Sequence, residues 1–310
     1  MKTDILSVIY SSDNNYAQHM GVSIYSLLEH NQEFAKVQIY IIENQISKDN
    51  KEKLQKVIEN FEKGELIWID FTKWKQHLSL KMEWKLSVSA YARLFISSMI
   101  PKTVKRILYL DCDMVICDSL KELWNSDLKD NIIGAVQDPV NDETKAAVGV
   151  AARQRYFNSG MLLINVEEWQ RNEIEKLALK FISEHHGQVK HHDQGVLNGI
   201  LNERWMLLPL RYNLMTIHFM YSDSKIMKYF QNHADYYSTG EIEMSKENPA
   251  IIHYTPSFTT RPWVQNCKHP LKGLYWNTLK KTPWSDAKEE KDNRKLHVRL
   301  VEWRYRCLPF

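Results

Sequence analysis

The chain has 310 residues, 44% hydrophobic and 25% charged, and its 41 Lys and Arg against 38 Asp and Glu leave a net charge of +3. That length buries a sizeable core, as one large α/β domain with an extension or as two small domains, and so mild a charge argues against nucleic acid as a partner of the folded body. Four cysteines, Cys112, Cys117, Cys267 and Cys307, show no zinc or redox spacing and are too few for a disulfide scaffold, which fits a reducing cytoplasm.

The N-terminus passes from Asp4 directly into Ile5–Tyr10, a β-rich run without a small-residue cleavage site behind it, so no secretory signal is expected. No apolar run approaches the roughly 20 residues of a membrane span. After the polar turn Ser11–Asn15, the apolar residues Met20, Ile24, Leu27 and Leu28 recur at helical spacing. Val37–Ile42 reads as the second strand. Ser47 then stands as an N-cap before Leu54, Val57, Ile58 and Phe61, which share one helical face. Leu66–Ile69 is a third strand, and Tyr91-Ala92-Arg93-Leu94 lies on a helical stretch ending before Pro101. Strands and helices alternating at this length predict an α/β fold, a mostly parallel central sheet flanked by helices.

Arg106–Leu110 is an apolar strand that runs into Asp111-Cys112-Asp113. Alternate residues of a strand share a face, so the two acids point the same way and repel unless a positive charge stands between them. Oxygen ligands at this spacing suit magnesium or manganese. Solvated acids at a strand end are the plainer reading. A phosphohydrolase with Asp111 as nucleophile is another, but such motifs lie near the N-terminus and continue Gly-Thr, whereas this one continues Met114-Val115.

Further along, Asp138–Val150 and Met215–Asn248 are irregular, as substrate loops often are. Asn158-Ser159-Gly160 reads as a tight polar turn entering the strand Met161–Val166, with Gly160 allowing close approach of backbone to a ligand. Helices are expected over Glu167–Ile182 and Gln194–Leu201. Asp193 is then either the N-cap of the second or, with Gln194, a group suited to gripping hydroxyls. His185-His186 and His191-His192 have the flanks of a solvated loop and not of a metal site. Ala250–His253 is a last strand running into a polar residue. Were His253 to join the two aspartates, its imidazole would favour manganese over magnesium. A parallel sheet binds ligands beyond the carboxyl ends of its strands, so Ser12–Asn15 and Asp111–Asp113 are expected to line one crevice.

Together, Ser11–Tyr16, Tyr91-x-Arg93-Leu94, Leu108–Asp113, Asn158-Ser159-Gly160, His192-Asp193-Gln194 and His253-Tyr254 with Arg261-Pro262-Trp263 resemble glycosyltransferase family 8, in its bacterial branch of lipopolysaccharide galactosyl- and glucosyltransferases and general stress protein A. The resemblance covers about residues 4 to 284. It implies a GT-A fold and a retaining, manganese-dependent transfer of glucose or galactose from UDP-glucose or UDP-galactose to a saccharide or glycolipid acceptor. By the same resemblance Asp13 and Asn15 contact uracil and ribose, and Asp111, Asp113 and His253 hold the metal, with Cys112 between the acids in the donor site. Arg93 and Asn158 hold the donor sugar and neighbouring phosphate, Asp193 grips sugar hydroxyls, and Gln194 sits beside the anomeric carbon. A neutral amide is a poor nucleophile, so front-face displacement is expected, not a covalent intermediate. The chain departs from the family after His253, reading Thr255-Pro256-Ser257-Phe258-Thr259-Thr260-Arg261 where glycine and lysine are usual, with Arg261 in the place of the lysine. A nucleotide-sugar-binding module without catalysis is the other alternative.

The catalytic domain is expected over 1–284, with 285–310 as a basic tail. Five Arg or Lys face the single acid Glu302 between Arg294 and Arg306, and Leu296, Leu300, Trp303 and Cys307 share a helical face. Such a helix suits the headgroup layer of an anionic membrane, which predicts a cytoplasmic protein held on the inner face of the cell membrane.

Overall fold

A computed structural model describes residues 4–71, 88–231, 233–256, 259–295, 297–300 and 302. Seven strands form the main sheet: β1 (Ile5–Asp13), β2 (Lys36–Asn44), β3 (Gly64–Asp70), β4 (Arg106–Leu110), β6 (Ile133–Gln137), β7 (Phe157–Asn165) and β8 (Trp205–Leu207). Their spatial order is β3-β2-β1-β4-β7-β6-β8. Every neighbouring pair is parallel except those made by β7, which runs against both β4 and β6. A second sheet of β5 (Met114–Ile116), β10 (Ile251–His253) and β9 (Leu214–Met215) has β10 in the middle.

The main sheet is covered on both faces, because its strands alternate between two apolar cores. Leu6, Val8 and Tyr10 of β1, Leu108 and Leu110 of β4 and Leu163 of β7 pack into one core with the helix Ala17–Glu29. Ile9, Ile107, Tyr109, Leu162 and Ile164 pack into the other, with the helices Ile174–Glu184 and His192–Leu201. Asp111 continues the Ile107–Tyr109 alternation past the end of β4, so it emerges on the second face. Ser47 caps its helix, Lys48–Glu59, by accepting from the Asn50 N–H at 3.2 Å.

Four expected stretches differ, and the first is Met215–Asn248, which is not irregular but carries the helices Ile217–Met220, Asp223–Phe230 and Thr239–Glu247. Asn158-Ser159-Gly160 is the start of β7 and not a turn before it. Its register on β6 jumps from Leu162 to Asn158 between Ala135 and Val136, a bulge that bows the segment out of the ladder. The helix expected over Glu167–Ile182 is two, Val166–Arg171 and Ile174–Glu184, separated by Glu173 at φ 50°. The helix expected from Gln194 begins at His192, so Asp193 lies inside it and is not its cap.

The segment after Ser285 returns to the body. Val264 and Glu290 form a parallel bridge, with Glu290 N–H donating to Trp263 O at 2.7 Å and Gln265 N–H to Glu290 O at 2.9 Å. Arg294 then pairs with Asp292 at 2.8 Å and with Glu302. Leu300 of the anticipated membrane face is exposed, while Leu296, Trp303 and Cys307 lie outside the described residues. No helix among the described residues is long and apolar enough to cross a membrane.

Candidate active site

β1 and β4 lie side by side, in register at Val8↔Leu108, so Asp13 and Asp111 leave the same edge of the sheet. β7 reaches that edge with its beginning, because it is reversed, and pairs Leu110 with Met161. The Asp111 N–H donates to Gly160 O at 2.8 Å. Strand direction thus places Asn158, Ser159 and Gly160 directly against the acids.

Arg93 is buried and binds three groups of this edge. Its Nη2 donates to Asp111 Oδ1 at 2.8 Å and its Nη1 to Ser159 O at 2.6 Å, while its Nε forms an ion pair with Asp193 Oδ2 at 2.9 Å. The guanidinium lies 4.3 Å from the centre of the Tyr109 ring, whose hydroxyl also donates to Asp111 Oδ1, at 2.9 Å. One fixed cation therefore offsets two carboxylates. Burial still raises the Asp193 carboxyl above its usual range against the pull of Arg93, and the Ser159 hydroxyl donates to it at 3.2 Å.

The small sheet brings in the other half. His253 is paired with Met114, which places its ring over the acids, with Nε2 3.1 Å from Asp113 Oδ1 and 3.8 Å from Asp111 Oδ2. Arg261 Nε donates to Asp113 Oδ2 at 2.9 Å, and its Nη2 pairs with the same oxygen at 2.9 Å. Burial would raise the Asp113 carboxyl, but His253 and Arg261 hold it well below the usual carboxylate range. Among the described residues, Asp111, Asp113 and His253 are the one cluster whose ligand atoms, one from each, all lie within 4.8 Å of one another. Two carboxylate oxygens and an imidazole nitrogen fit a divalent cation of intermediate softness.

Gly160 makes this convergence possible. A Cβ there would stand 2.4 Å from His253 Cε1, 2.8 Å from Asp111 Oδ2 and 2.9 Å from Asn158 Oδ1. The glycine thus admits neighbouring side chains as well as any ligand.

An amide network fills the space behind. Asn158 Oδ1 accepts the Gly160 N–H at 3.0 Å and Asn213 Nδ2–H at 2.9 Å, while its Nδ2 donates to Asp138 Oδ2 at 3.0 Å and Gln194 Oε1 at 3.2 Å. Gln194 Oε1 also takes the Ser159 N–H at 3.1 Å, and Gln194 Nε2 donates to Asp138 Oδ2 at 3.0 Å. Gln194 is therefore held by both ends of its amide.

The remaining expected residues are placed as follows. Asp13 Oδ1 accepts the N–H groups of Asn15 and Tyr16 at 3.0 and 3.3 Å, capping a short 3-10 turn and leaving Asn15 exposed at the rim. The Cys112 side chain turns away from the acids, its thiol donating to Ser11 O at 3.4 Å, and burial pushes that thiol's pKa up. The two histidine pairs form no metal-type cluster among the described residues. His185 Nδ1 meets Phe181 O at 2.8 Å, and His191 and His192 carry φ of 58° and 53° in the turn before Asp193. Of the loop 255–261, residues 257–258 lie outside the described residues, and so do Lys81–Lys85, whose sequence reads as part of an acceptor loop.

Two residues of the site went unread. Asp138 follows the apolar run Ile132–Val136, the same strand-end pattern as Asp111, and that signal could have found it. Asn213 ends a short 3-10 turn, Leu210–Asn213, and carries no sequence signal. A cavity of about 650 Å³ lined by Leu207–Arg211, Tyr237 and Met244 holds none of these residues.

A family model described as Glycosyl transferase family 8 matches residues 7–267. The chain is 29% identical to general stress protein A of Bacillus subtilis over 288 residues, 92% of this chain and 96% of that one. It is 28% identical to the lipopolysaccharide 1,2-glucosyltransferase of Escherichia coli over 287 residues, 92% of this chain and 80% of that one. The solved galactosyltransferase LgtC, in complex with donor and acceptor sugar analogues, matches with a TM-score of 0.70 at 23% identity, covering 90% of this chain and 96% of that one. At that identity the likeness establishes the fold.

Proposed function

The chain belongs to glycosyltransferase family 8, and on that premise we propose that it moves a hexose, glucose or galactose, from a uridine diphosphate sugar to a saccharide acceptor with retention at the anomeric carbon. The convergence of Asp111, Asp113 and His253 supports this reading most. These three would hold Mn²⁺, or Mg²⁺, which when bound supplies positive charge to a diphosphate leaving group.

Asp13 and Asn15, at the end of β1, would take the nucleoside. Arg261 would turn its fork to the diphosphate, a planar donor in the place of an ammonium. Asp193, Asn158 and Gln194 would orient the sugar. Gln194 carries the mechanistic argument: its amide is neither nucleophile nor base, and both its ends are engaged. Front-face displacement, in which the departing diphosphate takes the acceptor proton, needs no protein nucleophile. The acceptor would enter by the loop Gly187–His192, which lines a space of about 470 Å³ just before Asp193. The basic tail, 285–310, would rest on an anionic membrane, bringing a lipid-linked acceptor within reach.

The test is hydrolysis of uridine diphosphate sugars with Mn²⁺ added or chelated. Hydrolysis that needs the metal and disappears in Asp113→Ala supports the reading. Release of phosphate from simple monoesters instead would favour the phosphohydrolase, and tight donor binding without turnover under any acceptor would favour the binding module. A covalent glycosyl adduct on any carboxylate would overturn front-face displacement.

A further inference from the structure

We infer that Asn213 is a positioning residue that fixes which nitrogen of His253 carries the proton, and so which nitrogen faces Asp111 and Asp113. The argument starts from a backbone group. The Gly160 N–H can only donate, so the Asn158 atom it meets at 3.0 Å is the carbonyl oxygen. That oxygen is also 2.9 Å from the Asn213 side-chain amide, which must therefore present its NH₂ there. The other end of the Asn213 amide, its oxygen, is left facing His253 Nδ1 at 2.9 Å. An oxygen acceptor requires a proton on Nδ1. Three hydrogen bonds in series thus carry one fixed polarity from the main chain of β7 to the ring.

The consequence is at the far nitrogen. With Nδ1 held protonated, Nε2, 3.1 Å from Asp113 Oδ1 and 3.8 Å from Asp111 Oδ2, is the nitrogen whose proton toward Asp113 a cation would displace to take the lone pair. The opposite tautomer would aim an N–H at the ligand position. Burial makes the relay hard to escape: Asn213 is 0% exposed and His253 4%, so bulk water does not compete for the amide oxygen. β9 pairs with β10 at Leu214↔Ile252 and Met215↔His253, and this register holds the chain next to Asn213 beside the ring.

The inference rests on the reading of Asp111, Asp113 and His253 as a cation site, and its test separates the two. Mn²⁺ binding is followed by electron paramagnetic resonance in wild type, Asn213→Leu and Asn213→Asp, with folding checked by circular dichroism. Loss of the acceptor in Asn213→Leu is expected to weaken Mn²⁺ binding by about 10- to 100-fold, the usual effect of removing an outer partner of a ligating histidine. Asn213→Asp keeps an acceptor for Nδ1 while losing the NH₂ toward Asn158, and is expected to lose clearly less Mn²⁺ affinity than Asn213→Leu. Equal loss in both variants, or none in Asn213→Leu, would overturn the inference. Wild-type protein that binds no Mn²⁺ would defeat the cation site instead. Nitrogen-15 spectra of the imidazole in wild type, with Mg²⁺ as the diamagnetic probe, decide the tautomer directly: a proton on Nδ1 supports the relay, and a proton on Nε2 alone sinks it.

Discussion

Arg261 and Asp113 meet across 148 residues of chain, two nitrogens of the guanidinium sharing one carboxylate oxygen at 2.9 Å each. The pair joins the main sheet's edge to the loop after β10. Removing the arginine should have opposite effects on two ligands, because it repels a cation and attracts a diphosphate. In Arg261→Ala we expect Mn²⁺ to bind about tenfold more tightly and the donor KM to rise about tenfold, the size of one partly screened charge. Titration calorimetry for the metal and initial rates for the donor check the two signs. A shift of both in the same direction would contradict the arrangement.

Gly160→Ala is expected to be far more damaging than a methyl group suggests. The added carbon would lie within 2.4 Å of His253 and 2.8 Å of Asp111, and neither residue is the free end of a flexible side chain. Activity should fall by about 100-fold or more, with a stability loss of about 1–3 kcal/mol from overpacking. Donor hydrolysis rates and urea unfolding measure each. Near-normal turnover would show that His253 and Asp111 need not converge.

Arg93 holds the edge of the site together. Its loss strands the buried Asp193 and the half-buried Asp111, so Arg93→Met should cost about 3 kcal/mol in denaturant unfolding, as for other broken buried pairs. Adding Asp193→Asn removes one of the stranded charges and should recover part of that loss, a coupling that a double-mutant cycle reads directly.

Much of this site is visible in the residues themselves, for reasons that differ from one to another. Asp111 and Asp113 are legible because strand alternation is a local rule. His253 is legible as a strand end, but its union with the acids depends on β10 pairing with β5, which no periodicity encodes. The direction of β7 is hidden for a related reason: alternation reads the same both ways along a strand, so Asn158–Gly160 passed for a turn before the strand. Between Trp169 and Ile174 the apolar pattern carries on while the helix breaks, at Asn172 and Glu173, without a proline or glycine to mark it. The relay through Asn213 is set by tertiary contact alone.

Three buried histidines predict acid lability. Burial lowers the pKa of His19 and His218 to about 3 and of His269 to about 4, from an ordinary value of 6.5. In each case the unfolded chain takes up a proton that the folded one refuses. Stability should therefore be full above pH 6.5 and fall as pH drops from there toward 4 and 3. Each histidine contributes at most about 1.4 kcal/mol per pH unit. Asp193, raised by burial, works in the opposite sense and offsets part of the fall. Urea unfolding at pH 7, 6 and 5 measures the slope, and His269→Phe should lessen it by about a third. A flat profile over that range would show that the rings are hydrated.

The contacts that make the site span long stretches of chain: 66 residues between Arg93 and Ser159, 40 between Asn213 and His253 and 148 between Asp113 and Arg261. Pairings of this range close late in folding, after the local helices and hairpins have formed. On a ribosome, β4 emerges with its two acids well before β10 supplies the imidazole. A half-made chain therefore lacks the Asp-Asp-His cluster, and any stabilisation from binding there falls on a chain that already holds β10. Occupancy of this crevice would report that β10 has been made and has paired with β5.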